Sequence, residues 1–456
     1  MRRMERDRNL KTETKIYPLE DGEIQRVQIV RLNGWSALDF LAPEASDRVF
    51  SGIVSLYRQF IVPVCPWIFG QMILFRLPDG LQVPDLPEMT ARVETDDRLT
   101  KAAFLLKEYA RVRSGVACVK DARVRDFVEA LERSGSISTA CGKLPFKKII
   151  PVGNGLGFLS ETEREAAFKC NALFFVMDSF DCATPFDHVG TPVGLRVKDG
   201  SVLNPPLYRR EALLIRQDGS STVEIPDIRK LEIGFGGKRY LHGRNAELFT
   251  RPLCSRTKRC RGWDTVIVGS RVAGVCENGN TPVPASGFVI RTEERIASPG
   301  DTAAFYGMEG IRFGLQAGNS TAVGGIGTKS FVSSFYNIRD PRQRVPYPPS
   351  LYPHRYAGDR AARMAIGIDG DGDPTVIWAE GAAKIGHEPG KDSCGATLLE
   401  MTRYCLDAGV VNGINLDGGG SAQILLRNER SLLISDRNAG DCSEMERAVP
   451  LGLIFR

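Results

Sequence analysis

The chain has 456 residues, which at roughly 150 residues per domain corresponds to two or three domains with ample length for a buried core. Its composition, 42% hydrophobic and 25% charged, is ordinary for a globular protein and argues against a disordered chain or a small disulfide scaffold. The formal net charge of +5 is too small to make nucleic acid or an anionic membrane the expected partner.

The first residues, MRRMERDRNLKTETK, carry positive charge but no apolar core and no small-residue cleavage site. We therefore expect no secretory signal and a cytoplasmic location. The 11 cysteines are an odd number without a CxxC pair, which favours free thiols in a reducing compartment. The glycosylation sequon that begins at Asn319 would then be unused.

Residues 1–155 are predicted to form an N-terminal unit of unknown fold and function. Its most apolar run, Phe60–Phe75, is interrupted by prolines and is shorter than the ~20 residues that span a bilayer. This run is therefore predicted to be a buried strand or core segment and not a transmembrane segment. Two helical patterns follow, one from Asp97 to Gly115 and one that includes Val124 and Leu131.

Residues 156–456 are predicted to form a β-rich domain. Short apolar runs alternate with Asp-Gly and Asn-Gly turns, as in GLRVKDGSV, ALLIRQDGSSTVEI and TVIVGSRVAGVCENGN, and this pattern predicts hairpins. Helix-length patterns occur near 161–170 and 396–408. Because hairpins without long intervening helices argue against a doubly wound parallel sheet, the predicted fold class is mixed α+β, a β-rich domain with flanking helices.

The helix near 396–408 has the clearest boundaries. Thr397 and Glu400 fit a capping box, and Gly409 is placed to end the helix. Its predicted buried face consists of Leu398, Met401, Thr402 and Cys405. The helix leads directly into an apolar strand, VVNGINL, and a second apolar strand is predicted over Ala422–Leu426.

Between these two strands lies the most informative motif of the chain, NLDGGGS at residues 415–421. Three consecutive glycines sacrifice packing and chain entropy, so we expect something to approach this backbone closely. Successive glycine N–H groups can form an anion-binding nest, and Asp417 would present a carboxylate to the same space. The alternative is a glycine-rich hairpin in which Asp417 bonds its own turn.

Other motifs predict no metal or nucleotide site. Asp369, Asp371 and Asp373 alternate as calcium ligands can, but the rest of an EF-hand loop is absent and a turn is favoured. The four histidines show no paired metal spacing. His387 could reach the glycine motif, but a solvent-exposed loop histidine is the favoured reading. The glycines at 153–157 and 324–327 match neither a dinucleotide fingerprint nor a Walker loop. No cofactor is predicted, and a divalent cation is left open.

The densest basic cluster lies within residues 251–261. It consists of Arg251, Arg256, Lys258, Arg259 and Arg261. Such clusters are usually solvated loops and occasionally phosphate clamps.

The NLDGGGS motif and three shorter segments resemble the phosphodiester glycosidase family over roughly residues 160–456. The supporting segments are SGFVI at 286–290, RMAIG at 363–367 and G-x-T-L-x-E at Gly395–Glu400, in the family's order. Two departures stand out. Asn171-Ala172-Leu173-Phe174-Phe175 lacks the two glycines of the family's Asn-Gly-Gly-Phe-Phe, and Gly318-Asn319 stands where Gly-Pro is common. These differences point to a substrate whose shape differs from N-acetylglucosamine.

The resemblance implies a hydrolase that cleaves the sugar C1–O bond of a glycosyl-1-phosphodiester and releases free sugar and a phosphate monoester. Its expected partner is a small-molecule or glycan phosphodiester, with no nucleic acid. The candidate catalytic groups are Asp417, Arg363 and Glu400. The candidate substrate-binding groups are Asn171, Asn415, Gly418, Gly419, Gly420 and Ser421, and His387 is added because it lies shortly before the helix that leads to the motif.

In this scheme the Gly418–Gly420 backbone and Arg363 hold the phosphate, and Asp417 acts at the anomeric centre. Glu400 is either a second carboxylate or only the helix cap. Two other functions stay open: a phosphodiesterase that breaks the P–O bond, and a catalytically silent protein that binds carbohydrate or phosphate.

Overall fold

The structure is a computed structural model that describes residues 10–43, 136–139, 142–145, 157–176, 184, 186–187, 190–332, 334–336, 344–346, 357–382, 387–431 and 449–456. The apolar run at 60–75 and the two helical patterns between 97 and 131 lie outside these residues. No helix in the described ranges is long and apolar enough to cross a membrane.

Strands dominate the described part of the chain. The first fourteen are β1 (Leu10–Pro18), β2 (Ile24–Leu32), β3 (Leu38–Leu41), β4 (Ser136–Thr139), β5 (Gly142–Pro145), β6 (Phe168–Asn171), β7 (Arg196–Lys198), β8 (Ser201–Asn204), β9 (Ala212–Arg216), β10 (Ser221–Glu224), β11 (Glu232–Phe235), β12 (Lys238–Tyr240), β13 (Glu247–Thr250) and β14 (Arg259–Val268). The others are β15 (Arg271–Gly279), β16 (Gly287–Thr292), β17 (Ala304–Tyr306), β18 (Ile311–Leu315), β19 (Ser320–Val323), β20 (Ile326–Gly327), β21 (Ser334–Tyr336), β22 (Arg344–Pro346), β23 (Arg363–Asp369), β24 (Pro374–Ala379), β25 (Val410–Asn415), β26 (Ile424–Leu426), β27 (Glu429–Arg430) and β28 (Gly452–Phe455).

Helices are few in these residues. One α-helix, α1, spans Leu398–Asp407. Short 3-10 helices span Glu20–Gly22, Trp35–Ala37, Leu159–Glu161, Ile228–Lys230 and Gly419–Ser421. The prediction of a β-rich domain is confirmed.

Two sheets frame the glycine motif. The seven-stranded sheet has the order β1-β2-β24-β23-β25-β19-β20, and the five-stranded sheet has the order β27-β26-β6-β28-β3. Their strand pairs are antiparallel, as expected for hairpin-linked strands and not for a doubly wound fold. The chain passes from β25 in the first sheet to β26 in the second through the motif.

The remaining strands form smaller sheets, with the orders β10-β9-β18-β7-β8, β13-β16-β14-β15, β12-β11-β17, β21-β22 and β4-β5. The predicted hairpins β7–β8, β9–β10 and β14–β15 are all present. In the first of these, Asp199 and Gly200 both have positive φ, at 48° and 77°, as a tight Asp-Gly hairpin turn requires.

Residues 10–41 are not separate from the C-terminal region, although the sequence analysis assigned them to a unit ending at residue 155. β2 pairs with β24, with Ile29 opposite Ile377, and β3 pairs with β28. Strand pairing across more than three hundred residues leaves no local sequence signal, which explains the difference. For the rest of residues 1–155, the division at residue 155 stays a prediction.

The prediction of a helix near residues 161–170 is wrong. The structure has a 3-10 turn at Leu159–Glu161, a positive φ of 43° at Glu163 and then strand β6. β6 lies between β26 and β28, and all four of its residues are buried. Central sheet pairing therefore overrides the helical propensity of the Glu- and Ala-rich segment before it.

The helix α1 forms as predicted and covers one face of the seven-stranded sheet. Its capping box is complete, and Gly409 follows it with a φ of 89°. Met401 and Cys405 pack with Ala365 and Ile377 of the sheet in one apolar cluster. Each large apolar side chain buried in this way contributes about 1.5–3 kcal/mol. Packing therefore fixes the helix, and with it the segment before it, against β23 and β25.

Candidate active site

The NLDGGGS turn, residues 415–421, is the crossover between the two large sheets. At its start, Asn415 N–H donates to the Asn319 carbonyl at 2.8 Å, and Leu416 N–H donates to the Met364 carbonyl at 2.8 Å. Then Asp417 N–H donates to the Ala172 carbonyl at 2.9 Å, just past the end of β6. Residues 417–420 are half-buried, whereas their neighbours on both sides are buried. The turn is thus held from both sheets and keeps an accessible surface at its centre.

At two of the three positions the backbone itself requires glycine. A Cβ on Gly418 would lie 2.6 Å from the Ala362 carbonyl oxygen, and Gly419 has a φ of +57°. The expected close approach is therefore made by the protein's own backbone at Ala362. Gly419 N–H donates to that same carbonyl at 2.7 Å and is not available to an anion, so the predicted nest of three N–H groups is incomplete. The N–H groups of Gly418 and Gly420 meet no acceptor in the described ranges.

Asn171 anchors the turn to β6. Its Nδ2 donates to the Asp417 carbonyl at 2.6 Å, and its Oδ1 accepts from Gln423 N–H at 3.0 Å. Both bonds are made to backbone atoms, and the side chain is almost fully buried. Asn171 and Asp417 are thus brought together as the sequence predicted, in an arrangement in which Asn171 positions the turn.

Asn415 and Asn319 carry buried amide oxygens without a donor. Asn415 Nδ2 donates to the Asn319 carbonyl at 3.2 Å, but neither residue's Oδ1 accepts a hydrogen bond from any described residue. Each residue is only 1% exposed. A buried acceptor without a donor is costly, so a water molecule or a ligand hydroxyl is the expected donor.

Arg363 lies beside the turn, with its guanidinium held by backbone carbonyls. Nε donates to Ala396 at 3.1 Å and Nη2 to Asp359 at 2.8 Å, and the residue is 8% exposed. Its Cα is 3.5 Å from the position that a Cβ on Gly418 would take. Arg363 therefore joins the segment before α1 to the strand that borders the turn.

Glu400 uses both carboxylate oxygens in structural bonds. Oε2 accepts from Thr397 N–H at 2.8 Å and from its hydroxyl at 3.0 Å, and Oε1 accepts from Arg360 at 2.6 Å. Burial alone would lower the pKa of Arg360, but the Glu400 carboxylate outweighs this effect and the pKa is raised. The geometry is that of a helix cap with an ion pair, which is the second of the two roles that the sequence allowed.

His387 contacts the N-terminal hairpin. Its Nε2 lies 3.0 Å from the Glu23 carboxylate, at the start of β2, where Ser393 also bridges to Ile24. Its Nδ1 is buried and has no hydrogen-bond partner in the described part of the chain. No hydrogen bond or ion pair among those residues connects His387 to the NLDGGGS turn.

The described ranges contain no group of three or more His, Cys, Asp or Glu side chains able to hold a metal ion. The alternating aspartates form a turn, as predicted. Asp369 Oδ1 accepts from the N–H groups of Asp371 and Asp373 at 3.0 and 2.9 Å. These bonds close the β23–β24 hairpin.

Residues 267–456 match the sequence profile of the phosphodiester glycosidase family. These residues belong to that family. The four segments on which the resemblance was based, at 286–290, 363–367, 395–400 and 415–421, all lie within the match. Asn171 lies outside it.

Human N-acetylglucosamine-1-phosphodiester alpha-N-acetylglucosaminidase is 38% identical over 76 residues, which cover 17% of this chain and 13% of the human protein. The chain thus spans about an eighth of that relative's length in the match. Among solved structures, the zebrafish enzyme's catalytic domain, auto-inhibited by its pro-peptide, aligns with a TM-score of 0.41 at 12% identity and covers 98% of this chain and 83% of that one. A hypothetical protein from Synechocystis aligns with a TM-score of 0.42 at 15% identity, with 98% and 62% covered.

The NLDGGGS motif thus lies at the crossover between the two large sheets, and only some of the site residues predicted from the sequence lie beside it. Asn415, Asp417, the glycines, Ser421, Arg363 and Asn171 come together, whereas Glu400 and His387 have partners elsewhere. Asn319 is the residue that sequence reasoning missed as a site residue. The one sequence signal at Asn319 was that it replaces the proline of the family's Gly-Pro. That its Oδ1 accepts no hydrogen bond from a described residue could not be predicted, because this depends on the register of β19 against β25.

Proposed function

We propose that this chain is a hydrolase that cleaves the sugar C1–O bond of a glycosyl-1-phosphodiester. The observation that carries the proposal concerns the buried amide oxygens of Asn319 and Asn415, which accept no hydrogen bond from any described residue and lie next to the half-buried turn that presents Asp417. Sugar hydroxyls can donate hydrogen bonds to such oxygens. The family match over residues 267–456 supports the same class of reaction.

The leaving group explains why a single carboxylate at the turn is sufficient. Cleavage of C1–O expels a phosphate monoester, which is a better leaving group than a sugar alkoxide and needs less protonation by a general acid. The demands on the protein are then to stabilise positive charge at the anomeric carbon and to bind the departing phosphate. Asp417 takes the first role, as nucleophile or as the base that activates water.

The departing phosphate is assigned to the turn's backbone. Gly418 and Gly420 supply N–H donors, and both meet no acceptor among the described residues. Arg363 fixes the neighbouring segment through Ala396 and Asp359, and its positive charge lies beside the turn. This assignment gives Arg363 a positioning and electrostatic role in place of the bidentate phosphate clamp predicted from the sequence.

A substrate panel tests the proposal against the alternative of a catalytically silent binding protein. Purified protein is mixed with methyl glycosyl-1-phosphodiesters of several sugars, free sugar and phosphate monoester are measured, and binding of a non-hydrolysable glycosyl phosphonate is followed by calorimetry. We expect turnover of at least one sugar. Phosphonate binding without turnover of any substrate would instead favour a silent binding protein.

A further inference from the structure

A cleft of about 910 Å³ lies apart from the NLDGGGS turn. One wall is formed by the β11–β12 hairpin and the turn that follows it, and the other by the start of β13, the start of β14 and the end of β16. None of its lining residues belongs to the turn, to Arg363 or to the asparagines beside it. Its volume falls in the range of small-molecule sites, roughly 300–1,000 Å³.

Three cationic side chains enter this cleft without an internal acceptor. Lys238, Arg244 and Arg261 line it and are exposed, and none makes a side-chain hydrogen bond or ion pair with any described residue. Arg261 belongs to the basic cluster that the sequence analysis read as either a solvated loop or a phosphate clamp. Three cations that face one space and pair with no described residue favour an anionic group there.

Arg291 in the wall of the cleft is held by buried partners. Arg291 is 7% exposed, and its Nε and Nη2 donate to the two oxygens of buried Asp264 at 2.7 and 2.8 Å. Thr257 adds a hydrogen bond of 2.5 Å to Asp264. Because its charge is neutralised by this pair, Arg291 serves as a fixed floor and not as an additional anion ligand. A pre-formed wall lowers the ordering cost of binding.

The cleft also offers acceptors and a ring. Glu293 and Glu294 are exposed lining residues, Glu247 is a half-buried one, and Tyr240 presents a half-buried ring. These carboxylates would repel a ligand that is anionic throughout, whereas carboxylates can accept hydrogen bonds from hydroxyl groups. The lining therefore fits a ligand that carries both an anionic group and hydroxyl groups.

We infer that this cleft binds a phosphorylated sugar, with the phosphate at Lys238, Arg244 and Arg261 and the sugar hydroxyls at Glu293 and Glu294. The site is separate from the proposed active site, and the inference does not depend on turnover at Asp417.

Isothermal titration calorimetry with glucose 6-phosphate, glucose and inorganic phosphate tests the inference. We expect binding of glucose 6-phosphate, weaker binding of inorganic phosphate and none of glucose. The double substitution Arg244→Gln with Arg261→Gln should weaken glucose 6-phosphate binding by about tenfold or more, because two charge-assisted contacts are lost. Arg271→Gln is the matched control, since Arg271 is an exposed arginine outside the cleft. It should bind like the unmodified chain.

Three results would overturn the inference: no binding of glucose 6-phosphate, equal affinities for glucose 6-phosphate and inorganic phosphate, or unchanged binding in the double variant. A comparison with Asn319→Ala, which removes a proposed sugar acceptor beside the NLDGGGS turn, separates the two sites. If that variant loses glucose 6-phosphate binding while the double variant keeps it, the ligand occupies the NLDGGGS turn and the inference is wrong. Turnover of a phosphodiester should persist in the double variant, so the proposed function and the second site can fail independently.

Discussion

Asn171 Nδ2 donates a hydrogen bond of 2.6 Å to the main-chain carbonyl of Asp417. The Asp417 N–H in turn donates to the Ala172 carbonyl at 2.9 Å, so both backbone polar groups of Asp417 are bonded to the end of β6. Because these two bonds use the backbone and not the carboxylate, the side chain of Asp417 can be changed without breaking them. Position and chemistry can thus be tested separately at this residue.

The first prediction concerns Asp417→Asn. The substitution keeps the shape of the side chain and both backbone bonds but removes the negative charge. If the carboxylate acts at the anomeric carbon, kcat should fall on the order of 10² to 10⁴ while phosphonate binding persists. Steady-state kinetics and calorimetry on the same preparation measure both quantities.

Thermal unfolding is the control for this variant. We expect a melting temperature close to that of the unmodified chain. A variant that unfolds more easily, yet keeps full activity per folded molecule, would show that Asp417 only stabilises the turn.

The second prediction concerns Asn319→Ala. The Oδ1 of Asn319 accepts no hydrogen bond from any residue in the described part of the chain, so its removal should change the free energy of unfolding by less than about 1 kcal/mol. If that oxygen accepts from a sugar hydroxyl, kcat/KM should fall by about tenfold or more. Urea unfolding and steady-state kinetics measure the two effects.

Asn412→Ala is the matched control and should show the opposite pattern. Asn412 Nδ2 donates to the Ser221 carbonyl and hydroxyl at 3.0 and 3.1 Å, which ties β25 to β10. Its loss should cost about 1 kcal/mol of stability and leave kcat/KM per folded molecule unchanged. Equal kinetic losses in both variants would argue against a substrate role for Asn319.

The third prediction separates the two carboxylates. Glu400→Gln retains a side chain able to complete the capping box but loses the ion pair with Arg360. We expect a loss of less than about 1 kcal/mol in unfolding free energy, typical of partly exposed ion pairs, and an unchanged kcat. A fall in kcat of about a hundredfold would instead make Glu400 a catalytic group.

The fourth prediction concerns the pH dependence of the stability that Asp39 contributes through its ion pairs with Lys198 and the C-terminal Arg456. Burial would raise the pKa of Asp39, but hydrogen bonds from Lys198 and Arg456 outweigh it, so the pKa is lowered. A carboxyl with a lowered pKa stabilises the fold above its unfolded value of about 3.9, and this contribution is lost as pH falls through the lower folded value.

Asp39→Asn should therefore reduce the unfolding free energy by about 1 kcal/mol at pH 7. The difference from the unmodified chain should shrink below about pH 3.9 as the wild-type carboxyl takes up its proton. Urea unfolding at pH 7 and at pH 2.5 measures both values. A difference that is constant with pH would show that the ion pairs are not its cause.

The elements that the sequence predicted are those with local signals. Helix α1 is marked by a capping box at Thr397 and a terminating Gly409, and the β7–β8 hairpin by Asp199-Gly200. In each case a few adjacent residues specify the backbone conformation. The NLDGGGS turn was found for the same reason, because its glycines stand side by side.

Features that depend on distant pairing could not be predicted. The insertion of β2 beside β24 and the central position of β6 depend on strands that are far apart in the sequence. The register of the sheet leaves the Oδ1 atoms of Asn319 and Asn415 without a hydrogen-bond donor among the described residues. The Gly419 N–H is already bonded because the backbone carbonyl of Ala362 lies next to it. Glu400 was ambiguous because a capping glutamate and a catalytic one look alike in sequence.

The most direct test of the proposed reaction is hydrolysis of a glycosyl-1-phosphodiester in oxygen-18 water. If the sugar C1–O bond breaks, the bridging oxygen leaves with the phosphate and the water oxygen attaches to C1. We predict that mass spectrometry finds the label in the free sugar and none in the phosphate monoester. Label in the phosphate monoester would show cleavage of the P–O bond and would contradict the glycosidase assignment.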